Sequence, residues 1–175
     1  DGNWMPIVVN EIELDGIMYR QRSFVAPWGK GGSVGVLEFV AQNNGNAAAN
    51  ATIKLAFLAN AGKDDVAELS TVPIGAIAYR RGRLLAAVHA DQAAPLKLDV
   101  SPAGTVFSGS LPPRVTSRIV VFIPTVVMKP EQHTQLANSD ELLRATREYW
   151  QQQLASAMQI DLPDPLLVNA IKASQ

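Results

Sequence analysis

The chain has 175 residues, of which 47 % are apolar and 18 % charged, with a formal charge of −1. That balance suits a packed domain and excludes disorder and the basic face that nucleic-acid binding requires. With no cysteine, disulfides, thiolate metal sites and cysteine nucleophiles are excluded. Apolar runs such as Ile119 to Ile123 are strand-sized, far short of the roughly 20 residues of a membrane helix.

From about residue 4 to residue 128 the signals are those of an all-β domain. In "NEIELDGIMYRQ" two runs meet at Asp15-Gly16, a pair suited to the positive φ angles of a tight hairpin. "WGKGGSVG" carries Gly29-Lys30, but it lacks the first glycine and the Ser/Thr of a phosphate loop, and predicts a flexible connection between strands. "SVGVLEFVAQN" and "NATIKLAFLAN" are longer runs joined by the turn-rich "NGNAAA". In the second, Ile53, Leu55 and Phe57 alternate with Thr52, Lys54 and Ala56, the period of a half-buried strand. Asn50-Ala51-Thr52 is a formal glycosylation sequon, a tripeptide that arises often by chance. "IGAIAYR" and "RLLAAVHA" flank Arg81-Gly82, so the basic group Arg80 to Arg83 reads as an exposed hairpin tip. "PLKLDV", "GTVFSG" and "SRIVVFIP" complete the set. Turn signals every eight to twelve residues favour an antiparallel β-sandwich.

After Pro130 the pattern becomes helical. Asn138 with Glu141 three positions on makes a capping box, and Leu142, Thr146, Tyr149, Trp150, Gln153, Leu154 and Ala157 recur at helical spacing to about Met158. "QIDLPDP" is extended, because a residue before proline is pushed from helical angles. Asp164 can then cap a second helix, with Pro165 in its first position and Leu166, Leu167, Ala170 and Ile171 as its apolar stripe. A helix that short needs a partner surface. The expected organisation is a β-sandwich over 1–130, a linker helix over 131–162 and the start of a helical domain over 163–175. Opening at Asp1, the chain reads as a processed protein or a segment of a longer one.

"NEIELDGIMYRQRSFVAP" resembles the opening strands of the sandwich, of supersandwich type, that precedes the catalytic barrel in bacterial six-hairpin (α/α)6 glycosidase-like proteins. "VLEFVAQNNGNAAANATIKLAF" resembles their paired strands. "ELLRATREYWQQQLASAMQIDLPDPLLVNAIKASQ" is similar to their linker helix and first barrel helix, with Tyr149-Trp150 spaced from Pro163-Asp164-Pro165 as in that family. The resemblance covers about half the chain. It implies a non-catalytic module of a glycoside hydrolase-like protein, bracing a helical barrel and bordering its sugar site. The family's catalytic carboxylates lie on barrel loops, so no catalytic residue is carried over. Tyr149, Trp150, Leu154, Leu166, Leu167 and Ile171 become candidates for packing between domains or for self-association. Cytoplasm and export remain equally open.

Individual residues leave alternatives. Glu11 and Glu13 share a strand face and could approach the 5 to 9.5 Å, roughly, that glycoside hydrolysis needs, but suit the wet side of an edge strand. Asp64-Asp65 reads as a solvated turn. Glu38, inside an apolar run, must be paired or protonated: by an arginine, or at a domain interface. Trp28 beside flexible glycines, with Lys30, could offer an aromatic face and a cation to a sugar. Trp4, Trp28 and Trp150 come from distant segments, and Trp150 suits the helix core. His89 and His133 lack the carboxylates of a metal site, and Ser108, Ser110 and Ser117 lack a nucleophile's context. No cofactor or metal is expected. A stand-alone carbohydrate-binding or adhesion sandwich, and an interaction domain of a surface complex, are the other readings.

Overall fold

In the computed structural model, residues 5–57, 67–91, 95–136, 138–155 and 164–174 are described. Ten strands are ordered along the chain: β1 (Val8–Leu14), β2 (Ile17–Trp28), β3 (Gly32–Asn43), β4 (Ala49–Leu55), β5 (Glu68–Val72), β6 (Gly75–Arg80), β7 (Arg83–Ala90), β8 (Lys97–Ser101), β9 (Gly104–Leu111) and β10 (Thr116–Pro124). A 3-10 helix (Pro130–Leu136) and two α-helices, α1 (Ser139–Ala155) and α2 (Pro165–Ser174), follow. The strands form two antiparallel sheets, a large one in the order β1-β2-β3-β10-β7-β6-β5 and a small one in the order β4-β9-β8.

Side-chain alternation divides the large sheet into two buried faces. On β10, Ile119 and Val121 point to the small sheet, where Phe107, Leu111, Ile17 and Val88 complete one core. Val120 and Phe122 point the other way and pack with Phe24, Val36, Leu84, Met128, Leu136 and Leu143. The second core lies beneath the 3-10 helix and α1. The chain is thus a β-sandwich with a third, helical layer on the outer face of its larger sheet.

The turns follow from local chemistry. Asp15 (φ 51°) with Gly16 (φ 77°), and Arg81 (φ 49°) with Gly82 (φ 71°), make the two expected hairpins. "WGKGGSVG" departs from the expected loose connection. Trp28 pairs directly with Gly32, leaving a three-residue tip of Gly29, Lys30 and Gly31, and both glycines take positive φ. Asn43, fully buried, organises the β3–β4 turn by donating to Ala47 O and Leu111 O while accepting from Gly45 N–H. Strand β5 has no sequence signal of its own, because "ELSTV" is short and has no apolar alternation.

Helix α1 starts where expected: Glu141 N–H donates to the Asn138 side-chain oxygen at 3.1 Å. Its buried face differs from the stripe read in the sequence. Ser139, Leu143 and Thr146 are buried, whereas Tyr149 is 44 % exposed and Trp150 half-buried. Periodicity places residues on faces but does not say which face the sheet meets. Asp164 caps α2 through Leu166 N–H at 2.9 Å. Leu166 and Leu167 are exposed, and Leu154 and Ile171 are half-buried. Trp4, Asp64, Asp65, Ala157, Met158 and Pro163 lie outside the described residues.

Candidate functional site: a cleft beside a clamped helix

Strand β1 pairs with β2 only as far as Val8 opposite Ser23, so among the described residues β2 from Phe24 to Trp28 has no strand on that side. Helix α1 runs along this stretch. The buried Thr146 hydroxyl donates to Leu142 O at 2.8 Å and lies 3.4 Å from Val25 O, which faces the open edge. Pro27 shares the parity of Val25, so its missing N–H falls on the side where no ladder bond is lost.

One turn further along α1, helix and strand diverge. A cleft of about 590 Å³ opens there, lined by Tyr149 and Trp150 on one side and by Val25, Pro27, Gly29 and Gly31 on the other. Tyr149 and Trp150 meet edge to face, with ring centroids 5.5 Å apart and an interplanar angle of 83°. Aromatic rings opposite a glycine-rich hairpin suit a flat ligand. Trp28 is not part of this wall: it turns onto the helix-side core, while Lys30 stands exposed at the hairpin tip. The aromatic side chains that line this cleft belong to the helix.

The N-terminal end of α1 is held electrostatically. Glu38, with only 4 % of its side chain exposed, lies between Arg22 of β2 and Arg118 of β10, all on the helix-side face. Arg22 Nη2 donates to Glu38 Oε2 at 2.9 Å, and Arg118 Nη2 donates to the same oxygen. Arg118 also grips Asp140 with both arms, at 3.0 and 2.8 Å, and reaches Ser139 Oγ at 2.9 Å. The hydrogen bond from Arg118 holds the Asp140 carboxyl below the ordinary carboxylate range, and the Asp140 and Glu38 partners raise the Arg118 pKa. Glu38 was expected to need a partner, and an arginine was one of the two foreseen. Which arginines, and that they reach the helix, depends on strand register.

His89 and His133, unrelated in the sequence, come together. His89 lies against Phe122 with centroids 4.9 Å apart, beneath the 3-10 helix that carries His133, whose ring is 6.3 Å away. His133 Nδ1 is 2.9 Å from Pro130 O, whereas His89 Nε2 has no hydrogen-bond partner among the described residues. Burial, and then the charge of His133, push the His89 pKa down from 6.5 to about 4. The neutral imidazole is thus the form the fold accepts. Stability from this site is complete above pH 6.5 and falls as the pH drops towards 4, where the folded state also takes up the proton. About 2 kcal/mol is lost across that window, with partial screening by solvent included. Urea titrations at pH 7, 5.5 and 4 should show this decline in the native chain and a shallower one in His89→Phe. Equal slopes would remove the assignment.

The remaining candidates are dispersed. Glu11 and Glu13 are exposed on the edge strand β1, and Glu11 has Arg20 3.9 Å away. Ser117 is buried on the face opposite Glu38, and Ser108 and Ser110 are exposed on β9. Among the described residues no group of three or more His, Asp or Glu side chains could hold a metal ion. No protein-family model matches the chain, and no curated protein matches it in sequence.

Proposed function

We propose that this chain is a non-catalytic β-sandwich module of a glycoside hydrolase-like protein. In this reading α1 braces a helical barrel domain, and the Tyr149–Trp150 cleft borders the sugar site. The observation that carries it is the cleft: an exposed Tyr149 and a half-buried Trp150 line it from a helix whose other end is clamped to the sheet. The buried carboxylate, Glu38, is engaged by two arginines and so is a poor candidate for acid–base chemistry. Leu166 and Leu167, exposed on α2, offer a further apolar surface to a helical partner.

The same cleft also favours a second reading, a stand-alone carbohydrate-binding sandwich, because aromatic walls suffice to hold a pyranose ring. Two measurements on the 175-residue chain separate these readings. An oligosaccharide panel should give no turnover, and hydrolysis abolished by changing one of its own carboxylates would end the non-catalytic reading. Calorimetric titration with glycans should give no saturable heat if the module supplies only one wall of a site. Saturable binding that disappears in Trp150→Ala would favour the stand-alone module instead.

A further inference from the structure

Strand β1 is an outer edge of the large sheet, guarded by the charges of Glu11 and Glu13 alone. Among the described residues it pairs only with β2, all seven of its residues are exposed, and it contains no proline, lysine or bulge. Val8, Ile12 and Leu14 lie 54 to 57 % exposed on the face towards the small sheet. That face is not closed: beneath Ile12 and Leu14 the flank of the sandwich is an open groove lined by Tyr19, Asn50 and Thr52. Glu11 and Glu13 project from the opposite face.

We infer that β1 is a self-association edge, pairing antiparallel with β1 of a second copy to make one continuous sheet. The register is decided by charge and by hydrogen-bond parity. The two-residue turn at Asp15-Gly16 makes Leu14 and Ile17 a hydrogen-bonded pair. The N–H and C=O groups of Leu14, Ile12, Asn10 and Val8 therefore face β2, and those of Val9, Glu11 and Glu13 face outward. A two-fold axis through the sheet requires outward-facing residues to oppose one another. Centring on Glu11 sets two carboxylates directly opposite, and centring on Ile12 sets Glu11 opposite Glu13 twice; both are repulsive. Centring on Asn10 places Val8 opposite Ile12, Val9 opposite Glu11, and Glu13 opposite Ile7, so no like charges stand directly opposite and only the two Glu11 side chains are diagonal neighbours. The two Asn10 side chains then face each other as a non-hydrogen-bonded pair about 4.5 Å apart at Cα. The edge is self-complementary in this register.

The cysteine-free chain makes the register directly testable. Sedimentation equilibrium of the native chain should show a monomer–dimer equilibrium. Glu11→Pro removes an outward N–H without touching the β1–β2 ladder. It should raise the dissociation constant about ten- to hundredfold while leaving the circular dichroism of the monomer unchanged. Under mild oxidation Asn10→Cys should link to itself, because about 4.5 Å lies within disulfide range. Val8→Cys should not, its two copies being about 13 Å apart, but the Val8→Cys/Ile12→Cys double variant should. A native chain that is monomeric throughout overturns the inference, and so does a dimer unaffected by Glu11→Pro. Equal cross-linking of Val8→Cys and Asn10→Cys overturns the register.

Discussion

Glu38→Ala lowers the stability of the folded chain by about 3 kcal/mol, because it leaves two arginines on a largely buried face without their shared acceptor. For a chain of this size the melting temperature falls by about 6–12 °C. The loss is not confined to β3. Arg118 joins Glu38 to Asp140 and Ser139, so the N-terminal turn of α1 loosens along with the sheet contact. A double-mutant cycle with Asp140→Ala should be non-additive, since both carboxylates act through one guanidinium. Urea unfolding measures the first effect, and amide exchange in α1 the second. A loss under about 1 kcal/mol, or unchanged exchange in the helix, would show that the clamp contributes little. This cluster also explains how an amphipathic helix is held at a fixed position along a sheet, since apolar packing alone tolerates sliding.

Gly75→Ala and Gly104→Ala each destabilise the fold by about 3 kcal/mol or more, through combined backbone strain and overpacking. Both glycines open a strand at φ near 140°, a region L residues rarely enter, with 144° at Gly75 and 139° at Gly104. A methyl group on Gly75 would collide with the Val88 carbonyl oxygen, and one on Gly104 with that of Leu55. The first collision falls on the β6–β7 ladder and the second on β4–β9, so each substitution weakens a different sheet. Gly82→Ala is the control. Gly82 also has positive φ, but it meets no atom within 4 Å, so only the strain applies and the loss is near 1 kcal/mol. Similar losses at all three positions would mean that the close approaches do not matter.

Much of this fold can be read from the sequence wherever the determinant is local. Asp15, Gly16 and Gly82 take the positive φ angles their chemistry favours, and Asn138 and Asp164 cap the two α-helices as their spacing predicts. Alternation along β4 and the run at β10 identify strands without reference to anything distant. Reading fails where a residue's fate depends on a remote partner. "ELSTV" becomes β5 because β6 offers it a ladder, not because of any signal of its own. Leu143 is buried and Tyr149 exposed because the sheet meets one side of α1, and helical spacing presents both sides equally.

The candidate site shows the same division. Composition and pattern determine by themselves that this is a cysteine-free, mainly β chain with a capped helix at its end, since those properties rest on residue types and near neighbours. Only the tertiary structure decides that Glu38 serves two arginines, that His133 sits over His89, and that Tyr149 and Trp150 face the Gly29–Gly31 hairpin rather than the core. These juxtapositions join residues 16 to more than 100 positions apart. Strand register and the placement of α1 set them, and both are fixed by the packing of the whole chain rather than by any segment of it.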